Sequence, residues 1–144
     1  MAYKNTYAIR FNDVDHARIL YFPTFLHYFH CAFEDFFEHA CGFHYNRVLN
    51  EHRIGFPSVH VEVDFKEPLR FGDHVEITIE VVRIGNKSVV FRYTGKRVET
   101  EVECVRGEIT AACMSMDSYH AIPVPQQYRS WFTEHLAAEV KGDA

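Results

Sequence analysis

No two of the four cysteines in this 144-residue chain, Cys31, Cys41, Cys104 and Cys113, have the C-x-x-C spacing of a zinc or redox motif. The first residues, Met1-Ala2-Tyr3-Lys4-Asn5-Thr6, lack the apolar stretch of a secretory signal. Both absences point to reduced thiols and a cytoplasmic location. A surplus of basic residues is missing as well. With 15 Lys and Arg against 20 Asp and Glu the formal net charge is -5, so neither a nucleic-acid binder nor a membrane-surface protein is expected, since both present a basic face. An anionic ligand would need a local cluster of cations. No repeat, low-complexity tract or Pro/Gly/Ser linker divides the chain, and one domain over residues 1–144 is expected.

What the chain does have is apolar and aromatic material, 47% and 15% of its residues, ample for a core. The richest stretch runs from Tyr21 to Ala40. Phe25, Phe29, Phe33, Phe36 and Phe37 recur at steps of four, four, three and one, which stacks their rings along one side of a helix. Pro23 suits a first helical turn and Gly42 suits the residue just past the end. Such a helix is about 28 Å long at about 1.5 Å per residue. Glu34, Asp35, Glu38 and nearby histidines interrupt the apolar run, so it reads as a core helix and not a membrane span.

Around that helix the period changes to two. Tyr7–Phe11 reads as a first strand that ends at Asn12 and Asp13. Residues 43–54 read as a short helix or loop. Val59, Val61, Val63 and Phe65 alternate with His60, Glu62, Asp64 and Lys66, as in a strand with one buried face. After Pro68 and a turn at Phe71-Gly72-Asp73, Val75, Ile77, Ile79 and Val81 repeat the pattern. Gly85-Asn86 predicts a tight hairpin into a strand over Ser88–Thr94, and a longer strand runs from Glu103 to Met116. Gln126–Ala138 reads as a terminal helix with Trp131 and Leu136 inward. The order predicts an α+β domain in which a curved antiparallel sheet wraps one long central helix. Such a sheet leaves edges, and association through an edge strand as a symmetric dimer follows.

The sharpest chemistry lies before the long helix. Asp13 and Asp15 sit near its N-terminus, where free backbone N–H groups and the dipole favour negative charge. A carboxylate there can act as nucleophile or general base, and an amide beside Pro23, with Phe22 first in line, can polarise a carbonyl oxygen. Equally, one aspartate can be a simple cap or Asx-turn residue. His16 is next to Asp15, but adjacent side chains usually diverge. His27, His30 and Glu34 share neighbouring helical turns, yet no H-E-x-x-H or cysteine pair assists them and no metal site is expected.

The run from Phe11 to Phe25, FNDVDHARILYFPTF, resembles the signature of the 4-hydroxybenzoyl-CoA thioesterase family of hotdog-fold acyl-CoA thioesterases. The likeness extends over most of the chain, through Phe65 and Pro68, Gly72-Asp73, Lys87-Ser88 and Ile122-Pro123-Val124-Pro125. It implies a hotdog fold and hydrolysis of an acyl-CoA, with coenzyme A as part of the substrate and no separate cofactor. By match, Asp15 is the catalytic carboxylate, the Phe22 N–H is the oxyanion donor and Asp13 is structural. Tyr21, Ser58 and His60 are candidates for the acyl pocket, and Lys87 and Ser88 for the CoA phosphates. A homodimer assembling to a homotetramer is implied. Where relatives often carry small residues, including Gly, this chain has His16-Ala17-Arg18, which puts bulk and charge beside the site. An aryl or medium-chain acyl group is favoured because aromatic residues crowd the helix start. The alternatives are a hotdog module that binds acyl-CoA or an acyl carrier protein without hydrolysis, and a dehydratase, whose His-Phe-Pro-Gly and Gly-Asp-x-Asn-Pro motifs are absent.

Overall fold

The computed structural model describes residues 2–138, so the ends of the expected 1–144 domain lie outside the described residues. In chain order the elements are β1 (Tyr3–Ala8), α1 (Phe22–Asp35), α2 (Tyr45–Asn50), β2 (Ile54–Gly55), β3 (Ser58–Phe65), β4 (His74–Ile84), β5 (Ser88–Arg97), β6 (Glu103–Ala112), β7 (Met114–Ser115) and α3 (Gln126–Thr133). One five-stranded antiparallel sheet has the order β1-β4-β5-β6-β3, and β2 pairs with β7 in a small ribbon.

The aromatic stripe is the reason α1 lies against the sheet. Phe25, Phe29 and Phe33 are buried along it, and Phe29 stacks on Tyr93 of β5 with ring centroids 4.7 Å apart. The helix then widens into a π-turn over Phe36–Ala40, closed by the Cys41 N–H donating to the Phe36 carbonyl. That extra residue per turn lets Phe36 and Phe37 both face inward, where each is fully buried. Gly42 follows at φ 74°, the left-handed conformation expected just past a helix end.

Opposite α1, the inward positions of β4 are Val75, Ile77, Ile79 and Val81, all buried. The close approach of the layers requires a glycine at 107. A Cβ there would come within 2.9 Å of the Glu62 carbonyl oxygen, 3.0 Å of Val63 and 3.2 Å of Phe29.

Several details differ from expectation. The first strand is Tyr3–Ala8, not Tyr7–Phe11, because Phe11–Asp13 turns into a short 3-10 segment. In α3 the buried residues are Tyr128 and Phe132, while Trp131 and Leu136 are only half-buried. The long last strand breaks at Cys113, which is buried, and β7 leaves to pair with β2. Most telling is β3. Its alternating face is not covered, with Val59, Val61 and Phe65 at 62%, 44% and 48% exposure. The strand pairs with β6 on one side and forms an open sheet edge on the other.

Candidate active site

A small hairpin carries both aspartates to the start of α1. The Tyr21 N–H donates to the Asp13 carbonyl (2.9 Å), Val14 bridges Leu20, and the Asp15 N–H donates to Ile19 (3.0 Å). The tip closes as the Arg18 N–H donates back to the Asp15 carbonyl at 2.9 Å, with Arg18 at φ 66°. One arm therefore holds Asp15 and the other runs into the helix at Phe22.

The two carboxylates differ in what they do. Asp13 Oδ2 accepts from the Arg10 N–H at 2.8 Å and from the Tyr28 hydroxyl, which also reaches the Ala8 carbonyl. Burial, and then this carboxylate, push the Tyr28 phenol above its ordinary value. Asp13 thus ties the hairpin to α1 and β1. Asp15 is exposed, and its Oδ1 accepts from the Ala17 N–H at 2.8 Å in an Asx turn. Its second oxygen has no hydrogen-bond partner among the described residues. At the helix start the Thr24 N–H is taken by the Tyr21 carbonyl at 2.8 Å, and Pro23 has none to offer. The Phe22 N–H has no acceptor among the described residues, and it is the donor the sequence had pointed to.

A cavity of about 460 Å³ opens between α1, α2 and the sheet. Leu26 and Phe33 of α1, Tyr45 and Leu49 of α2, and Phe91 and Tyr93 of β5 supply much of its wall, with Ser58 at the β3 end. Asp15 does not line it within one chain. Of the residues expected at an acyl pocket, Ser58 is there. His60 is not, and the expectation is corrected: alternating with Val61, its imidazole stands on the outer sheet face in a shallow groove with Glu62, Arg83 and Arg92, and the register shift between Ser58 and His60 is what turns Ser58 to the cavity. Tyr21 is exposed beside the helix start, its ring 5.4 Å from that of Phe22, which in turn meets Phe65.

Lys87 and Ser88 sit at the β4–β5 hairpin tip, Lys87 exposed and Ser88 half-buried. Arg129 of α3 fixes that tip by donating to the Gly85 and Asn86 carbonyls at 2.6 and 3.0 Å. The helical histidines do not converge on a metal. His30 pairs with Glu34 at 2.9 Å and His27 lies against Cys31, and among the described residues no group of three or more such donors forms. No described helix is long and apolar enough to cross a membrane.

Residues 9–132 match the thioesterase-like superfamily. The chain belongs to that superfamily. Among its relatives, the 1,4-dihydroxy-2-naphthoyl-CoA hydrolase of Nostoc punctiforme is 27% identical over 91% of this chain and 86% of its own. The hydrolase of the same name from Crocosphaera subtropica is 31% identical over 65% of this chain and 66% of its own. Among solved structures, a 1,4-dihydroxy-2-naphthoyl-CoA thioesterase from Synechocystis superposes with TM-score 0.83 at 19% identity, covering 92% of this chain and 96% of that one. The BH1999 gentisyl-coenzyme A thioesterase gives 0.80 at 24% identity, covering 88% and 99%. These superpositions establish the hotdog fold of thioesterases for this member of the superfamily.

Three tyrosines of this thioesterase-like chain escaped the sequence reading. Tyr28 was hidden in the phenylalanine stripe, although a tyrosine on a buried helix face asks where its hydroxyl goes. Tyr93 occupies an inward position of β5, where the same question applies. Tyr45 lies in a segment whose periodicity is mixed, and no local signal marks it.

Proposed function

We propose that this protein is an acyl-CoA thioesterase that uses the Asp15 carboxylate as nucleophile or general base and the Phe22 N–H as oxyanion donor. The observation that carries the reading is the hairpin of residues 13–21, which presents an unengaged carboxylate oxygen on one arm and leads into a free helix-start amide on the other. As a base, Asp15 takes a proton from water, the hydroxide adds to the thioester carbonyl, and the oxygen that becomes negative accepts from Phe22. Collapse breaks the C–S bond and expels the CoA thiolate, which then takes up a proton. As a nucleophile, Asp15 adds to the same carbonyl and the resulting anhydride is hydrolysed. Single-turnover hydrolysis in ¹⁸O-water reads the nucleophilic route where water opens the anhydride at the Asp15 carbonyl, since the first acid released then carries unlabelled Asp15 oxygen and the label enters Asp15. Trapping the anhydride with hydroxylamine reads that route whichever carbonyl water attacks.

The acyl pocket is the large cavity, reached across a dimer. Phe65 and the helix start lie at one end of β3, whereas Ser58, the cavity and, through the β6 and β5 registers, the Lys87 hairpin lie at the other. Antiparallel pairing of β3 with its copy covers the exposed Val59, Val61 and Phe65 and brings Asp15 of one protomer to the cavity end of the other. Lys87 then stands beside the mouth to meet a CoA phosphate, with Ser88 near it. An aryl or medium-chain acyl group suits a cavity of about 460 Å³ with aromatic walls.

The function is tested by thiol release from aryl-, phenylacetyl-, short- and medium-chain acyl-CoAs. Turnover of the aryl or medium-chain members is expected. Silence over the whole panel together with tight acyl-CoA binding by calorimetry would instead make the protein a binding module.

A further inference from the structure

The cavity wall contains a hydroxyl with nothing to bond to. Tyr93 is 3% exposed, its ring lines the cavity, and its phenol oxygen has no hydrogen-bond partner among the described residues. Every described side-chain nitrogen or oxygen that is wholly sealed from solvent has a partner. The unpaired Tyr93 oxygen is therefore not sealed, and the space it opens to is the cavity its own side chain lines. Its orientation is fixed, because the ring is clamped flat against Phe29 at 4.7 Å with the planes 16° apart. Tyr45 stands in the same wall with its oxygen already accepting the Phe56 N–H at 3.0 Å, which leaves that phenol proton free to donate. Apart from His30 and Ser58, the rest of the lining is aliphatic, aromatic or thioether, including Met114 and Met116.

A hydroxyl that a ligand shuts off from water without matching it is costly, so a site that holds one discriminates for a ligand that satisfies it. We infer that Tyr93 is a specificity residue of the acyl pocket, and that the preferred acyl group is apolar along its length and carries a hydroxyl or carbonyl oxygen at its far end, placed to hydrogen-bond the Tyr93 phenol. The inference rests on the proposed use of this cavity as the acyl pocket. A neutral oxygen is specified because no Lys or Arg lines the cavity, and its one imidazole, His30, is exposed and already paired with Glu34 at 2.9 Å; a carboxylate deep in the pocket would be desolvated without a counter-charge.

Matched substrates that differ only at the far end test this: 6-hydroxy-2-naphthoyl-CoA against 6-methyl-2-naphthoyl-CoA, and 8-hydroxyoctanoyl-CoA against nonanoyl-CoA, with wild type and Tyr93→Phe. Wild type is expected to favour the oxygenated member of at least one pair by about 10- to 100-fold in kcat/KM. Tyr93→Phe should abolish that preference, bringing the two members of each pair to within about threefold of one another. Its melting temperature should be unchanged or higher, since only an unpaired hydroxyl is removed, whereas a hydroxyl with a structural role would lower it. Equal preference in the two proteins, or equal loss on both members of each pair, overturns the inference. Calorimetry with the corresponding free acids reads the same discrimination without turnover. If no thioester is cleaved but wild type alone distinguishes the oxygenated acid, the pocket assignment stands and the hydrolase reading fails; no discrimination in either assay refutes the Tyr93 role.

Discussion

Two aspartates two residues apart are given different work by their hydrogen bonds. Asp13 is spent on the Arg10 amide and the Tyr28 hydroxyl, so Asp13→Asn or Tyr28→Phe should cost about 1–3 kcal/mol of stability, read by urea unfolding. Their geometry separated two residues that sequence could not rank on local chemistry alone, because a cap and a nucleophile use the same residue type in the same place. Arg18 holds φ 66°, a conformation where glycine is at ease. Arg18→Gly should therefore keep or raise stability by up to about 1 kcal/mol, and any change in KM would then belong to the lost side chain. At the far surface, a side-chain hydrogen bond from His74, at 2.7 Å, and then the His74 amide hold the Glu99 carboxyl down to about 2. A depressed carboxyl contributes stability above its ordinary 4.5, and that contribution disappears as pH falls toward about 2. An NMR titration should find the Glu99 midpoint near 2 and see it return toward 4.5 in His74→Ala.

At the scale of elements, the long helix was legible because its phenylalanine spacing, Pro23 and Gly42 all agree on one answer. The π-turn was not, since it arises from the need to bury Phe36 and Phe37 together, and adjacent residues that both seek the core carry no periodic signature. The strands β4 and β5 read out as expected because their inward faces are covered in the chain itself. Strand β3 has the same alternation but no cover, and alternation alone does not say which chain supplies the partner. His60 stands on the outer face that its alternation with Val61 already implied, whereas Ser58 is turned to the cavity by a one-residue register shift, which leaves no mark in the sequence. Gly107 shows how tightly the layers meet. Gly107→Ala should destabilise by about 1–3 kcal/mol in thermal or urea melts, since Phe29 and Val63 must yield to the added methyl.

At the scale of the molecule, the candidate catalytic hairpin and the cavity proposed to take the acyl group stand toward opposite ends of one exposed edge strand, and Asp15 does not line that cavity within one chain. A charge placed on that edge, Val61→Glu, should disrupt pairing, shift the molecular mass measured by light scattering to that of one chain, and abolish turnover while the far-ultraviolet circular dichroism is kept. Sequence reasoning expected a dimer from the sheet's open edge, but the placement of the hairpin and the cavity along that edge depends on the strand registers and was not legible.

The most direct test of the whole account is kcat/KM of Asp15→Asn beside wild type, on whichever acyl-CoA the wild type hydrolyses fastest, with acyl-CoA binding and melting temperature measured on the same samples. The account predicts a loss of about a thousandfold or more in kcat/KM, with binding and stability retained. Turnover within a few-fold of wild type would remove Asp15 from the mechanism and contradict the account.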